Sequence, residues 1–274
     1  MRWLILTMPL AASLASGGRE SPDGVVKPHA IQDFVSVQKG TLPIIVSAPH
    51  GGRKPLPGVP ERLGVGIKQF AKVRDVNTAE LAEKFVAALE KQLGEKVWFT
   101  IARFERKFVD VNRPRELAYE SDAAKPVYDA YHDSLAAACK AVKEKYGAGL
   151  LLDLHGQGVF ETQICRGTQN GKTVKLLVQR QGRPALVGRN SVLGQMERRE
   201  YKVLPACDAA EEAREAVQFN GGFIVQNYGS HTGYAIDAIQ LEFGTHLRER
   251  EAHAKTATDL AEAVAVFHDA YLKK

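Results

Sequence analysis

The sequence predicts a three-layer α/β fold in which a mixed, mostly parallel sheet is flanked by helices. Apolar strand-like runs alternate with helical patterns along the chain, an alternation typical of sheets covered by helices. The 274 residues are 45% hydrophobic and 25% charged, enough apolar material for a sizeable core. Because no internal repeat or second domain boundary is visible, we expect residues 31–274 to form a single α/β domain.

The first fifteen residues, MRWLILTMPLAASLA, have the plan of a secretory signal peptide, with a basic start, an apolar run and small residues. A core strand or membrane anchor is the alternative, but the run is shorter than the roughly 20 residues that span a bilayer. Residues 16–30, rich in Gly, Pro and Ser, are expected to be a mobile leader. The sequence therefore predicts a secreted or periplasmic protein with no membrane span after signal removal.

The elements of the first half follow from apolar patterning. LPIIVSA is a buried strand, and the glycine- and proline-rich HGGRKPLPGVPERLGVG is a long loop of the kind that carries function. Asn77 and Glu80 resemble a capping box that opens a helix ending at Gly94. KVWFTIA and KFVDV are predicted as strands.

In the second half, a helix is predicted over about residues 126–146 and a strand at LLLDL. Between Phe160 and Gln179, QNGK separates two runs of alternating character, which predicts an inserted β-hairpin. DAAEEAREAVQF is predicted as an amphipathic helix, GFIVQNY and AIDAIQLEF as strands, and residues 248–271 as a terminal helix.

Charge and cysteine usage narrow the function classes. The formal charge of +5 is spread among acidic residues rather than gathered in a basic block, which argues against a nucleic-acid partner. Cys139, Cys165 and Cys207 are widely spaced and include no C-x-x-C pair. At most one disulfide could form, and a cysteine zinc site is not indicated.

Two apolar strands end in the same way, with a histidine followed by glycine. His50 follows IIVSAP and His155 follows LLDL, so both should project from the edge of the sheet where ligands bind. Imidazole is the commonest protein ligand for zinc, and Asp153 lies on the same side of its strand as His155, where it could orient the ring. The paired pattern outweighs the alternative that each histidine is held by a local hydrogen bond.

A catalytic zinc site needs three protein ligands, so a third must come from elsewhere. Asp75, just before the first predicted helix, is our choice, although it could also be a plain carboxylate at a helix start. Glu61 and Glu80 remain alternatives. The glycines after the two histidines would let metal or substrate approach the backbone closely.

ARFERKFVDVNRPRE places several arginines around a short segment. A planar guanidinium suits a carboxylate or a developing oxyanion, and Pro114 would fix a bend presenting Asn112 and Arg113. A solvated basic strand edge is the alternative.

Glu242 lies on a buried strand, on the face shared by Gln240 and opposite Asp237. There it is either a general base or half of a buried salt bridge. His231, in a glycine-rich loop, could contact substrate but is not expected to be a metal ligand.

Taken in order, APHGG, RDVNTAEL, RKFVDVNRP, LLDLHG, FNGGFIVQNYG and IQLEFG resemble the N-formylglutamate amidohydrolase family, itself similar to zinc carboxypeptidases and aspartoacylases. The resemblance spans about residues 43–246. It implies that His50 and His155 bind zinc and that Asp75 takes the acidic position before the first helix. It also implies roles for the remaining candidates: Arg106 polarises the scissile carbonyl, Asn112 and Arg113 hold a substrate carboxylate, and Glu242 is the base.

The resemblance predicts a metal-dependent amidohydrolase acting on a small carboxylate-bearing amide or peptide. Two departures concern the ligands and the substrate: Arg53 falls where carboxypeptidases have a glutamate ligand, and a signal peptide is unexpected for histidine catabolism. A zinc peptidase or cell-wall amidase built on the same site is the enzymatic alternative. A non-catalytic metal-binding or anion-binding protein is the alternative from another class.

Overall fold

The computed structural model describes residues 31–68 and 70–273. The signal peptide expected at residues 1–15 and the leader expected at 16–30 lie outside this part of the chain. Within the described residues there are seven strands: β1 Val35–Gln38, β2 Ile44–Ala48, β3 Trp98–Ala102, β4 Gly149–Gln157, β5 Gln163–Gly167, β6 Lys202–Leu204 and β7 Ile236–Gly244.

The α-helices in the described range are α1 Thr78–Leu93, α2 Arg115–Ala118, α3 Lys125–Tyr146, α4 Lys175–Gln181, α5 Pro184–Val187, α6 Val192–Glu197, α7 Phe223–Tyr228 and α8 His253–Phe267. Short 3-10 turns are formed by Asp122–Ala124, Lys172–Val174, Val217–Phe219 and Thr245–Arg248, and a π-helical turn by His268–Leu272. Among the described residues, none of the helices is both long and apolar enough to cross a membrane.

The strands form one mixed sheet in the order β1-β3-β2-β4-β7-β5-β6. The four central strands β3, β2, β4 and β7 are parallel, while β1 and β5 run antiparallel to their neighbours β3 and β7. The carboxyl ends of β2, β4 and β7 therefore meet at one edge. In open α/β sheets this edge is where ligands bind.

Side-chain alternation along the central strands divides the core into two layers. Leu150, Leu152 and Leu154 of β4 pack with α1 and α8 on one face. Leu151 faces the other side, toward α3 and α7. Asp153 and His155 share that second face, which becomes polar toward the carboxyl edge. The three-layer architecture predicted from the sequence is confirmed.

Four local predictions are wrong. The run after QNGK forms a 3-10 turn and α4, so β5 pairs with β7 instead of forming a hairpin with that run. GFIVQNY forms α7, because the buried residues Ile224, Val225 and Tyr228 follow a helical and not an alternating spacing. DAAEEAREAVQF is irregular up to a final 3-10 turn, and KFVDV is a turn rather than a strand.

The helix predicted after Asn77 is confirmed as α1, but the capping box is not. Asn77 has a left-handed backbone, φ 65°, and its side chain makes no cap hydrogen bond. Its amide instead donates to the Arg248 carbonyl at 2.8 Å. The three cysteines are free thiols in the described structure, two of them buried.

Candidate metal centre

The two strand-end histidines meet at the carboxyl edge of the sheet. His50 lies two residues after β2, and His155 lies near the end of β4. Both side chains are buried, and their ring centroids are 4.8 Å apart with an interplanar angle of 73°. The identical sequence pattern thus produces two imidazoles in edge-to-face contact.

Each imidazole is anchored through the same ring nitrogen. His50 Nε2 lies 2.7 Å from Asp110 Oδ1, and His155 Nε2 lies 2.8 Å from Asp153 Oδ2. A carboxylate accepts a hydrogen bond, so both Nε2 atoms are N–H donors, and Nδ1 of each ring is the nitrogen left to bind a cation. The orienting contact expected of Asp153 is confirmed, and Asp110 makes its counterpart.

Asp75 completes the group. Its Oδ2 atom lies 3.4 Å from Nδ1 of His50 and 3.4 Å from Nδ1 of His155. The backbone N–H of Gly156 donates to the same oxygen at 3.1 Å and fixes its position. One ligand atom from each residue lies within 4.8 Å of the other two, so His50, Asp75 and His155 could hold a metal ion.

The chemistry of these atoms fits a zinc ion. His50 Nδ1 is buried and has no hydrogen-bond partner in the described structure, a costly arrangement for a nitrogen lone pair unless a ligand binds it. Two imidazole nitrogens and one carboxylate oxygen are a donor set found in catalytic zinc sites. Carboxylates on the far ring nitrogens are the usual outer partners of such ligands.

The alternatives to Asp75 lie elsewhere. The half-exposed Glu61 pairs with Lys107 at 3.0 Å and with Lys72 at 3.5 Å. Glu80, on the first turn of α1, binds Arg53 at 2.7 Å. Arg53, which the sequence resemblance places at a carboxypeptidase ligand position, supplies a cation to Glu80 and is not a metal ligand.

Two buried carboxylates beside the imidazoles, Asp75 and Asp110, are held ionised. Burial would raise the pKa of Asp75, but His50 and His155 outweigh it and hold that pKa far below its usual range. Burial likewise opposes ionisation of Asp110, and His50 and Arg106 lower its pKa well below the ordinary value. For His155, Asp153 overcomes burial and raises the pKa. The ionised Asp75 and Asp110 carboxylates therefore place negative charge beside the imidazoles, where a cation would bind.

Arg106 lies beside this group. Its Nε and Nη2 atoms both lie 2.9 Å from Asp110 Oδ2, and Nη1 lies 3.8 Å from Asp75 Oδ1. Burial opposes the charged guanidinium, but Asp110 and Asp75 prevail and raise its pKa. Arg106 is thus a permanent cation next to the candidate ligands.

Asn112 and Arg113 follow Asp110 in a tight turn. The Asn112 backbone N–H donates to Asp110 Oδ1 at 3.0 Å, and its side-chain Oδ1 accepts from Ile224 N–H at 2.8 Å. Its Nδ2 atom lies 3.4 Å from His155 Nε2. Since both of these nitrogens carry hydrogen, this is a contact and not a hydrogen bond. Arg113 is half-buried, and its Nη1 donates to the Asn112 carbonyl at 3.0 Å.

Glu242 lies on β7, next to β4, and its register partner on β4 is His155. The side chain is buried on the face shared by Gln240, as the strand pattern predicts. Burial, reinforced by Asp75, outweighs the nearby cations and raises the pKa of Glu242 to about 7. Asp237 faces the opposite layer and pairs with Arg180 at 2.6 Å.

The structure does not bring His231 to the candidate metal centre, so its predicted substrate contact stays a prediction. His231 lies in the turn between α7 and β7, close to the amino end of β7. Its pKa is lowered by burial and by Lys172, and not by any residue of the metal centre. The ligand candidates sit at the carboxyl end of the parallel strands, so the sheet separates His231 from them.

The glycines that follow the two histidines allow other parts of the protein to pack closely against the backbone, and they do not leave space for metal or substrate. A Cβ on Gly51 would lie 2.3 Å from the Ala79 backbone nitrogen, and one on Gly52 would lie 2.2 Å from the Phe104 carbonyl oxygen. A Cβ on Gly156 would lie 2.5 Å from the Arg248 guanidinium carbon. The glycines make room for other parts of the protein itself.

Asp110, Gln240 and Arg248 contribute to the centre but were given no role by the sequence analysis. Arg248 is buried and donates to three main-chain carbonyls: Phe243 at 2.9 Å, Gln157 at 3.1 Å and, through Nη1, Val76. Asp110 was detectable as an acid inside the apolar run FVDV. Arg248 offered no such signal, because its partners are backbone atoms distant in sequence.

The fold is shared with solved structures. The crystal structure of an N-formylglutamate amidohydrolase from Ralstonia eutropha matches 87% of this chain and 98% of its own, with 16% sequence identity and a TM-score of 0.59. A gene product of Agrobacterium tumefaciens matches 88% of this chain and 97% of its own, with 14% identity and a TM-score of 0.53. The fold implied by the sequence resemblance is thereby confirmed.

Comparisons at the level of sequence add nothing to this. No protein-family model matches the chain, and no curated protein does. At 14–16% identity the two structural similarities establish the fold alone.

Proposed function

We propose that this chain is an exported, zinc-dependent amidohydrolase that cleaves the amide bond of an N-acyl amino acid with a free carboxylate. One observation carries the proposal: Nδ1 of His50, Nδ1 of His155 and Oδ2 of Asp75, all on buried residues, lie close to one another. The far nitrogen of each ring is anchored on a carboxylate. Structural histidines have no need of this paired arrangement.

His50, Asp75 and His155 would hold the ion. Zinc in such a site supplies Lewis acidity, which polarises a carbonyl and makes water easier to deprotonate. Glu242 then serves as general base: its carboxylate takes the proton of the attacking water and returns it to the leaving amine. A pKa of about 7 suits both transfers near neutral pH.

Arg106 is proposed to stabilise the oxyanion that develops on the scissile carbonyl. It stays charged, and Asp110 holds its Nε and Nη2 atoms. Its Nη1 atom lies toward Asp75, on the side of the ligand group. A preorganised cation at the reacting centre is among the largest contributions to hydrolytic catalysis.

Asn112 and Arg113 are proposed to bind the substrate carboxylate. Asn112 Oδ1 is committed to Ile224 N–H, which leaves the amide N–H groups as the part of that side chain able to reach substrate. Arg113 is adjacent and half-buried, and a guanidinium binds a carboxylate through two parallel hydrogen bonds. These two side chains would select acyl amino acids over neutral amides.

The shared fold with the Ralstonia eutropha N-formylglutamate amidohydrolase supports hydrolysis of this kind. Export is supported by the signal-like composition of residues 1–15. The test is hydrolysis of a panel containing N-formylglutamate, N-acetyl amino acids and dipeptides, each with and without a chelator. Chelator-sensitive release of a free amino acid is expected. Faster turnover of peptides would favour the peptidase or cell-wall amidase, and saturable binding without hydrolysis would overturn the enzymatic proposal.

A further inference from the structure

Gln240 makes a buried contact with the proposed base. It lies on β7 two residues before Glu242, so both side chains face α3 and α7. Its Nε2 donates to Glu242 Oε1 at 2.9 Å. Both residues are buried, so water does not compete freely for this hydrogen bond.

The orientation of the Gln240 amide is fixed from its other end. The Gly222 backbone N–H donates to Gln240 Oε1 at 2.7 Å. An amide turned end over end would place its NH₂ group against this N–H and its oxygen against the Glu242 carboxylate, two repulsive contacts. The NH₂ group is therefore held toward Glu242.

The same short segment also fixes Asn112. Ile224 N–H donates to Asn112 Oδ1, and a Cβ on Gly222 would lie 2.2 Å from Asn112 Nδ2. Asn112 in turn packs against His155. Gly222 and Ile224 thus bind one side chain next to the base and one next to a candidate metal ligand.

We propose that Gln240 is the positioning residue of Glu242, holding Oε1 so that Oε2 is left for proton transfer. The inference rests on the proposed function, because it concerns the residue that orients the general base of that reaction. A neutral amide suits this task because an arginine or lysine in its place would stabilise the carboxylate more strongly and weaken it as a base. Gln240 restricts the rotamers of Glu242 without adding charge.

The kinetic test replaces Gln240 by Met, which keeps the length of the side chain and removes the donor. We expect kcat to fall roughly 10- to 100-fold while KM stays within about twofold and zinc content is unchanged. Gln226→Met is the matched control: Gln226 is exposed on α7, and its amide donates to Gly221 O. A kcat for Gln240→Met within twofold of the wild type would overturn the proposal.

A second test, by NMR, does not depend on hydrolysis and observes the Gln240 side chain itself. In ¹⁵N-labelled, metal-free protein, the side-chain amide resonances of Gln240 should move when Glu242 is replaced by Ala, while those of Gln226 should not. The Gln240 pair is assigned by its loss in Gln240→Glu. Unmoved resonances would show that the contact is absent and would overturn the positioning role. Absence of all hydrolysis by the wild type, with the resonances still shifting, would instead refute the proposed function.

Discussion

His50 and His155 lie edge to face, with ring centroids 4.8 Å apart, although 105 positions separate them in the chain. Each reaches the contact from the carboxyl end of a parallel strand, and each has its far nitrogen on a buried carboxylate. The two rings are therefore oriented before any ion binds. Preorganisation of this kind explains how two loosely related segments of sequence can form one site.

Replacing Asp110 by Asn should weaken zinc binding without removing the site. The His50 ring would keep a hydrogen-bond acceptor but lose the charge that makes it a better ligand. Loss of an outer partner of a metal-binding histidine typically costs about 10- to 100-fold in affinity. Competition with a chromogenic chelator measures the effect. Asp133→Asn, at an exposed position on α3, is the control. Equal affinity in the two variants would contradict the role given to Asp110.

Glu242→Gln should retain zinc and lose turnover. The amide keeps the size of the side chain but cannot accept a proton, so kcat should fall by about 100-fold or more. Zinc content by elemental analysis should remain that of the wild type, because Glu242 is not among the three ligands. Full activity in the variant would remove the assignment of Glu242 as base.

Arg248→Met should destabilise the metal-free protein. The change removes the guanidinium hydrogen bonds to the carbonyls of Val76, Gln157 and Phe243, the last two of them buried, and each lost bond costs about 1 kcal/mol or more. We expect the free energy of unfolding in urea to fall by about 3 kcal/mol. Arg250→Met, at an exposed position two residues away, should change it by less than about 0.5 kcal/mol. Equal values for the two variants would contradict the stabilising role given to the hydrogen bonds of Arg248.

His132 should make stability sensitive to mild acid. Burial lowers its pKa to about 4, and the ring is held between the Val111 carbonyl and the Tyr228 hydroxyl. The neutral ring is thus favoured in the folded state, so its contribution is complete above the unfolded pKa of about 6.5 and is lost as pH falls toward 4.

The measurement compares wild type with His132→Gln in urea at pH 7.5 and pH 5. Between pH 7.5 and pH 5, the wild type should lose about 2 kcal/mol more unfolding free energy than His132→Gln does. Taking the difference between the proteins cancels the other groups that titrate over this range. A constant difference would show that His132 does not carry this pH dependence.

The site was more predictable from sequence than its surroundings. His50 and His155 could be recognised in the sequence because a histidine at the end of an apolar run is unusual. Strand alternation alone placed Gln240 and Glu242 on the same face. Asp75 was preferred from the sequence, with Glu61 and Glu80 left open as alternatives. Only the structure gives the path of the long loop, and it brings Asp75 and neither glutamate to the two imidazoles.

Three element errors have physical causes. GFIVQNY is too short for periodicity to separate a strand from a buried helix. DAAEEAREAVQF has helical spacing, but Glu215 is drawn into a buried pair with Arg166 at 2.9 Å and also accepts hydrogen bonds from two backbone N–H groups, those of Thr168 and Asn170. In KFVDV, Asp110 is tied to His50, so contacts of the site override strand propensity.

The most direct test is the zinc content of the purified protein, wild type against His155→Ala, by elemental analysis after reconstitution. Near one zinc per chain in the wild type, and loss of it in the variant, is the result expected if His50, Asp75 and His155 form the metal centre. Equal and negligible zinc in both proteins would contradict the metallohydrolase and leave a binding role as the better explanation of the site.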